Sequence, residues 1–251
     1  RLAARPVGVI CHISFWESCT AMKIAFGGLE LPPGKYRFKD KTLVDLADKF
    51  QPTKVSPYYF EFLPDEYGAA DVIAMAEANI LDLLIHDMEK IEARLARTDD
   101  PAELCVLSKC QSQVEASKPV CDLALDDTEA SVVRALGLQS ATPTVVYDQS
   151  SPTVDAVCRD ALVKAGKMFF YTVGKDECRG WLVDRGADAR SCAGRIHSDL
   201  ARGFIKAELV SCGEMMTAHN MRAAREQGLT RLVDGSFEVP ADSILEIRFS
   251  V

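Results

Sequence analysis

The chain has 251 residues, 48% of them hydrophobic, and a formal net charge of −8 at pH 7. This length and apolar content support one large domain or two small ones, each with a real core, while the acidic balance argues against a protein that coats nucleic acid by bulk attraction. No run of eighteen apolar residues occurs, so a membrane-spanning segment is not expected.

The nine cysteines are scattered and include no C-x-x-C pair. This usage is typical of reduced thiols in a cytosol, so we expect a cytoplasmic protein without a disulfide framework. The four histidines stand at no metal-ligand spacing from the cysteines, and no metal site is predicted.

The first 21 residues stay unassigned. Their sequence, RLAARPVGVICHISFWESCTA, is similar to a poor signal peptide, because His12 interrupts the apolar stretch and no convincing cleavage site follows. We interpret them as foreign sequence or as the result of a start codon assigned too early. Met22 then begins MKIAF, which predicts a buried strand over 22–26.

A loop rich in glycine and basic residues, FGGLELPPGKYRFK at 26–39, follows this strand and invites comparison with a phosphate-binding loop. The apolar residues of KDKTLVDLADKF fall at helical spacing and predict an amphipathic helix over 39–50. The aromatic-rich YYFEFL predicts a strand over 58–63.

The longest helical signal covers 69–97, where the spacing predicts a seam formed by Leu81, Leu84, Met88, Ile91 and Leu95. A second helix runs on towards Pro119, with Asp100 as its N-cap and Glu103 as the partner in a capping box. The short link predicts an antiparallel helical arm over 69–118. It is either ordinary core packing or a projecting coiled coil.

The rest of the chain alternates helices and strands. The patterns predict a helix ending at Gly137, a buried strand over 142–148, a helix over 153–165 and a soft boundary at Ser150–Pro152. Beyond the boundary we expect strands over 168–173, 177–184, 204–210 and 244–251 and a helix over 214–227.

The last third of the chain carries a family resemblance. The segments KMFFYTVGKDECRGWLVDRGADARSCAG, AGRIHSDLARGFIKAEL and ADSILEIRFSV resemble the TGS domain of the YchF family, the Obg-like ATPases. Residues 115–147, 82–97 and 41–62 also resemble earlier family segments, more weakly. The matching positions include Gly194, Ile196, His197, Ser198, Asp199, Gly203, Phe204, Ala207, Glu208, Arg248, Phe249 and Val251.

This resemblance implies two domains. Residues 22–165 are expected to be the α/β remnant of a P-loop GTPase-like domain with the helical hairpin at 69–118 inserted. Residues 166–251 are expected to be a C-terminal α+β domain with the β-grasp fold of TGS domains.

The phosphate-binding motif of this domain is degraded. A working loop reads G-x-x-x-x-G-K-[ST], which supplies inward amides, a lysine for the phosphates and a hydroxyl for Mg²⁺. Gly34 and Lys35 are present, but Leu29 holds the first glycine position and Gly28 is one residue too far. Tyr36 replaces the small alcohol, Pro33 removes one amide, and the helix that follows in the family is missing.

Two further nucleotide motifs are altered. Asp65 and Gly68 spell D-x-x-G, shifted by one from the family's position, and the switch segment after it is missing because the helical arm begins at Ala69. Asp148 stands where the family has an Asn-x-x-Glu-type base-recognition motif. The candidate phosphate- and nucleotide-binding residues are therefore weak ones: Gly28, Gly34, Lys35, Asp65 and Asp148.

A second candidate surface lies in the C-terminal segment. Arginines and Lys206 cluster there, and Trp181 or Phe204 either stacks on a base or lies in the core. His197 is expected to make a structural hydrogen bond rather than act as a base. The candidate RNA- or partner-binding residues are Arg195, His197, Arg202 and Lys206.

Three functions stay open. The favoured one is a non-hydrolysing, translation-associated protein that binds RNA, the ribosome or a protein partner through its TGS domain and helical arm, with no catalytic residue and no certain cofactor. The alternative is a diverged ATPase or GTPase with a rebuilt loop at 27–36, and weak ATP or GTP binding at Lys35, Arg37 and Lys39 fits either. The third is a β-grasp regulatory module without a nucleic-acid role.

Overall fold

The computed structural model describes residues 21–148 and 151–250. These residues form two compact units. The N-terminal unit consists of Ala21–Tyr36 and Tyr59–Ala165, and the C-terminal unit of Arg37–Tyr58 and the described residues from Gly166 onward. The interpretation of residues 1–20 lies outside the described part of the chain.

Strands and helices alternate along the chain. The strands are β1 Met22–Gly27, β2 Gly34–Arg37, β3 Lys54–Ser56, β4 Tyr59–Pro64, β5 Val72–Ala76, β6 Thr144–Tyr147, β7 Lys167–Val173, β8 Glu177–Asp184, β9 Phe204–Ser211, β10 Arg231–Val233 and β11 Ser243–Phe249. The helices are α1 Lys41–Phe50, α2 Ile80–Leu95, α3 Pro101–Glu115, α4 Asp127–Leu136, α5 Val154–Lys164, α6 Ala189–Ile196, α7 Ser198–Arg202, α8 Cys212–Thr217 and α9 Met221–Glu226. None of the helices in the described ranges combines the length and apolar character that crossing a bilayer requires.

The N-terminal unit is built on a sheet with the strand order β2-β4-β1-β5-β6. Strand β1 pairs in parallel with both β4 and β5, and β5 pairs in parallel with β6. The Phe38 N–H donates to the Tyr58 carbonyl at 3.0 Å, which joins the chain just after β2 to the chain just before β4. Strand β2 therefore runs opposite to its neighbour.

The sequence-based prediction of a helix beginning at residue 69 is wrong, because residues 72–76 form strand β5 and helix α2 begins only at Ile80. All five residues of β5 are buried, as in a central parallel strand that is covered on both faces. A continuous apolar run lacks the alternation that identifies a half-buried strand. The sequence VIAMA therefore could not be distinguished by its pattern from the start of the helix that follows it. The prediction of a buried strand at β6 is also wrong, because β6 lies at the edge of the sheet and Val146 is 39% exposed.

Helices α2 and α3 pack on each other and on the sheet in one core. This core joins Ala25 of β1 and Ile73 of β5 to Leu84, Ile91 and residues of α3, so the helices form a layer and the projecting coiled-coil alternative is wrong. The predicted seam is also shifted, because Leu81 is 52% exposed.

The start of α3 differs from the predicted capping box. Asp100 is the N-cap and accepts a hydrogen bond from the Ala102 N–H at 3.1 Å. Glu103 turns instead to Arg94 and accepts two hydrogen bonds, at 2.7 and 2.9 Å, from its guanidinium. A charge-assisted fork to arginine replaces the weaker bond back to the cap backbone.

A buried carboxylate holds α2 to the segment that leads into β6. Asp87 is fully buried and accepts hydrogen bonds from the Gln139 N–H at 2.7 Å and the Ser140 N–H at 2.8 Å. The Ser140 hydroxyl in turn accepts from the Val120 N–H at 3.2 Å. One carboxylate therefore satisfies two backbone donors that are far from it in sequence.

The C-terminal unit is built on a sheet with the order β10-β9-β11-β7-β8-β3. Strands β7 and β8 form an antiparallel hairpin, and α6 and α7 connect them to β9. The last strand, β11, pairs in parallel with β7 and antiparallel with β9. The helix predicted over 214–227 is split, because Asn220 caps a new helix by accepting from the Ala223 N–H.

Residues 37–58 pack into the C-terminal unit, whereas the sequence-based boundary assigns them to the other domain. Strand β3 pairs in parallel with β8. The Tyr171 hydroxyl donates to Asp40 at 2.8 Å, and Asp40 also caps α1 through the Leu43 N–H. Burial raises the pKa of Asp40, and it also raises the pKa of Tyr171. Polar pairing inside the core thus ties this early segment to the sheet.

We expect Asp87→Ala to destabilise the N-terminal unit by about 3 kcal/mol, because the buried N–H of Ser140 and the partly buried N–H of Gln139 lose their acceptor. Urea unfolding measures the loss, and hydrogen exchange at Gln139 and Ser140 should accelerate. The matched control is Glu92→Ala, which removes an exposed carboxylate from the same helix and should change stability by less than about 0.5 kcal/mol. Equal effects of the two substitutions would contradict the anchoring role.

Candidate functional site

Three of the predicted nucleotide-binding residues lie along one edge of the N-terminal sheet. Strands β1, β4, β5 and β6 run in the same direction, so the residues that follow them share the carboxyl edge. Gly28 follows β1, Asp65 follows β4 and Asp148 follows β6. Ligands of open α/β sheets bind at this edge, which makes it the place to look for a nucleotide site.

Gly34 and Lys35 have a different setting from the one their motif predicts. They begin β2, an edge strand, and both are exposed. Tyr36, at the position of the Mg²⁺-binding hydroxyl, packs edge-on against Phe62 and donates a hydrogen bond to Asp155 at 3.1 Å. Lys35 therefore lies on a strand rather than in a loop that opens a helix.

The connection from β1 to β2 consists of residues 28–33. Because β4 lies between β1 and β2, this connection crosses the carboxyl end of β4. Leu29 and Leu31 within it are buried, at 8% and 7% exposure. The Leu31 N–H donates to the Leu29 carbonyl at 3.1 Å, so an amide that a phosphate loop would turn inward bonds within the connection itself.

The space above the end of β1 is filled by side chains. A Cβ on Gly27 would collide with the Tyr67 hydroxyl, and one on Gly28, which has φ +68°, would collide with Asn79. The Tyr67 hydroxyl donates to Asp65 at 2.9 Å. Burial and this carboxylate raise the pKa of Tyr67. Asp65 is thus used by a tyrosine of its own turn.

Two open concavities occur elsewhere in this unit, on the helical layer. One is lined by residues that include Cys105, Lys109 and Leu123, and the other lies between α2 and α4. Neither is lined by a residue of the carboxyl edge. Asp148 itself is exposed.

The four candidate partner-binding residues of the C-terminal unit have separate settings. His197 caps α7 by accepting a hydrogen bond from the Asp199 N–H at its Nδ1 atom, 3.1 Å away, which is a structural bond of the expected kind. Arg195 donates to the Leu182 carbonyl at 3.1 Å, and Arg202 pairs with Asp199. Lys206 is exposed on β9.

The aromatic rings near these cations belong to the core. Trp181 and Phe204 are 8% and 9% exposed, so the base-stacking alternative is wrong for both. Arg179 covers the Trp181 ring at 4.0 Å, and Arg190 lies 5.8 Å from the centre of the Phe204 ring. The guanidinium groups therefore cover the rings, and Arg190 is exposed while Arg179 is half-buried.

A charge cluster that sequence reasoning missed lies beside Lys206. Glu208 is 3% exposed and accepts hydrogen bonds from Arg225 at 2.7 and 2.5 Å and from Arg248 at 2.9 Å. Arg225, with help from Arg248, lowers the pKa of Glu208 to about 2. The sequence contained part of the signal, because the alternation along FIKAELV places Lys206 and Glu208 on one face of the strand. The pairing of Glu208 with Arg225 depends on the tertiary fold.

The C-terminal unit is similar to a known protein family. A family model described as "YchF-GTPase_C: Protein of unknown function (DUF933)" matches residues 168–250. The Ribosome-binding ATPase YchF of Bacillus subtilis is 26% identical over 250 residues, covering 73% of this chain and 68% of that protein. The chain is a relative of YchF. The resemblance seen in the sequence is confirmed.

Other relatives agree. The Ribosome-binding ATPase YchF of Escherichia coli O157:H7 is 24% identical, covering 71% of this chain and 64% of that protein. Obg-like ATPase 1 of Danio rerio is 33% identical over 82 residues, which is 33% of this chain and 21% of that protein. The chain thus spans about two thirds of the bacterial YchF proteins at most.

The fold also matches. The structure of the Schizosaccharomyces pombe YchF GTPase aligns with a TM-score of 0.73 at 12% identity, covering 94% of this chain and all of that chain. This YchF relative therefore has the mixed α/β fold of YchF, although an identity this low shows the fold alone.

We expect the Glu208 carboxylate to contribute about 3 kcal/mol to stability at pH 7, because its pKa falls from 4.5 to about 2 on folding. The folded pKa is the lower one, so this contribution is present above about pH 4.5 and is lost as the pH falls towards 2. The difference in unfolding free energy between wild type and Glu208→Gln should shrink over that window in urea unfolding series. The control is Glu246→Gln. The Glu246 carboxylate lies 3.9 Å from Arg225 and is more exposed than that of Glu208, so this substitution should change the unfolding free energy less. A pH-independent difference would contradict the assignment.

Proposed function

We propose that this YchF relative is a non-hydrolysing binding or regulatory protein associated with translation. It acts through the C-terminal unit, which we assign to the TGS type, and through the α2–α3 hairpin. The observation that carries the proposal is the six-residue connection from β1 to β2, which takes the place of a phosphate loop, a helix and a switch.

The loss of hydrolysis follows from the chemistry of phosphoryl transfer. Catalysis needs inward amides, a positioned lysine and a hydroxyl on Mg²⁺, and these groups act as a unit. Here Leu29 and Leu31 are buried in the connection, Lys35 lies on an edge strand and Tyr36 bonds Asp155. Each part is missing or has another partner.

The alignment with the Bacillus subtilis relative supports a reduced domain. It extends over 250 residues, while 73% of this chain is about 183 residues. The relative therefore contributes segments that have no counterpart here. We propose that these losses include the helix after β1, that the reduced domain consists of 21–36 and 59–165, and that the TGS domain, predicted over 166–251, also takes in 37–58.

A β-grasp assignment of the C-terminal unit is supported by its topology. An antiparallel hairpin, β7–β8, is followed by a helical crossover and by β9. Strand β11 then lies between β7 and β9 and runs parallel to β7. The bacterial relatives are named ribosome-binding, so a ribosomal or RNA partner in the cytoplasm is the proposal that fits both features.

Titration calorimetry with Mg-ATP and Mg-GTP, together with a phosphate-release assay, tests the loss of the nucleotide site. We expect no turnover above background and at most weak binding, with the Bacillus subtilis relative as the positive control. The alternative, an ATPase or GTPase with a rebuilt loop at 27–36, predicts turnover that disappears in Lys35→Ala. That result would overturn the proposal.

Co-sedimentation with ribosomes at about 50 and about 200 mM salt tests the partner. Phosphate contacts weaken with salt, so we expect release at the higher concentration and a binding loss of about threefold or more in Lys206→Glu. The matched control is Lys175→Glu, an exposed lysine in the β7–β8 turn of the same unit. Absence of co-sedimentation at both concentrations would favour a regulatory module without a nucleic-acid role.

A further inference from the structure

The open concavity between α2 and α4 has the composition of a docking groove. Its volume is about 610 Å³. We call it the α2–α4 groove. It is lined by Lys90, Ala93 and Arg94 of α2, by Arg97 just beyond the end of α2, by Glu103 of α3, and by Ser131, Val132, Ala135 and Leu136 of α4. It has no role in the proposed nucleotide chemistry, because none of these residues lies at the carboxyl edge.

The floor of the groove is apolar and firmly supported. Val132 and Leu136 are partly buried and pack against the core that α2, α3 and the sheet share. Ala135 is exposed beside them, and Ala93 faces them from α2. Small and aliphatic side chains over a packed core leave a shallow apolar trough that is open to solvent.

The rim of the groove is basic. Lys90 and Arg94 stand at i and i+4 on one face of α2, and Arg97 follows in the turn just after the helix ends at Leu95. Lys90 donates to the Gly137 carbonyl at 2.5 Å, just past the C-terminus of α4, and Arg94 is held by the Glu103 fork. Arg97 is exposed at the end of the row.

We propose that the α2–α4 groove binds an acidic amphipathic helix of a partner protein. Such a helix places aliphatic side chains on the apolar floor and carboxylates along the row of cations, which is the helix-in-groove mode of recognition. An apolar centre with a charged rim is also the usual anatomy of protein–protein interfaces. The lining carries three cations against the single carboxylate of Glu103, so in a chain with a net charge of −8 this local excess of basic side chains selects an acidic partner.

An RNA strand fits the groove less well. Single-stranded RNA is held by stacking of bases on aromatic rings as well as by cations. The described residues that line the groove include no aromatic ring. This proposal rests on the proposed function only in treating the helical layer as a contact surface. Whether the peptide binds and whether the chain co-sediments with ribosomes are separate results, so one can fail without the other.

Fluorescence anisotropy of labelled probes on the full chain tests the proposal. The main probe is a helical peptide of about 18 residues with leucines on one face and glutamates on the other. Three further probes are its scrambled sequence, its lysine-for-glutamate counterpart and an oligouridine RNA of about 20 nucleotides. We expect the acidic amphipathic peptide to bind at least tenfold more tightly than each of the others.

Variants locate the binding. Arg97→Glu reverses a rim charge and Ala135→Gln places a polar side chain on the floor, and each should weaken peptide binding about tenfold or more. The control Lys118→Glu makes the same charge change beyond the far end of α3, and it should leave binding unchanged. Circular dichroism and melting temperature verify that all three variants fold.

Three outcomes would overturn the proposal. The first is no measurable binding of the acidic peptide, and the second is equal binding by Arg97→Glu, Ala135→Gln and the wild type. The third is preferential binding of the RNA with loss in Arg97→Glu, which would make the groove a nucleic-acid site instead.

Discussion

The N-terminal unit depends on one topological constraint. Strand β4 lies between β1 and β2, so the chain leaving β1 has to cross the carboxyl end of β4 before it can begin β2. Residues 28–33 make that crossing, and six residues leave no room for a helix. The leucines of the crossing are buried where a phosphate loop would expose amides. The parallel strands form a carboxyl edge of the kind at which open α/β sheets bind ligands, and the leucines of the crossing pack across part of that edge.

A different kind of constraint holds the C-terminal unit. Buried polar groups there are paired across long sequence distances, as Tyr171 is with Asp40 and Glu208 is with Arg225 and Arg248. Unpaired, each would cost a substantial desolvation penalty, so these contacts specify which segments belong together. They explain why α1 and β3, early in the chain, pack with strands that begin more than a hundred residues later.

The two units differ in how they match known proteins and in how their polar residues are used. The last third matches the YchF family model, and its core contains paired charges. In the N-terminal unit, Tyr36 and Tyr67 each donate a hydrogen bond to a carboxylate of the protein itself. Among the described residues, the α2–α4 groove and the β9 face each carry an organised set of charges.

Sequence alone determined the family resemblance, most strands and helices, and the departure of the residues around Lys35 from G-x-x-x-x-G-K-[ST], because these depend on local spacing and residue chemistry. It also predicted Asp100 as a cap and Gly137 as a helix end. The tertiary structure alone decided that 72–76 is a central strand, that Lys35 lies on an edge strand and that 37–58 joins the C-terminal unit. Those outcomes depend on which segments become neighbours, and burial by distant partners overrides local pattern.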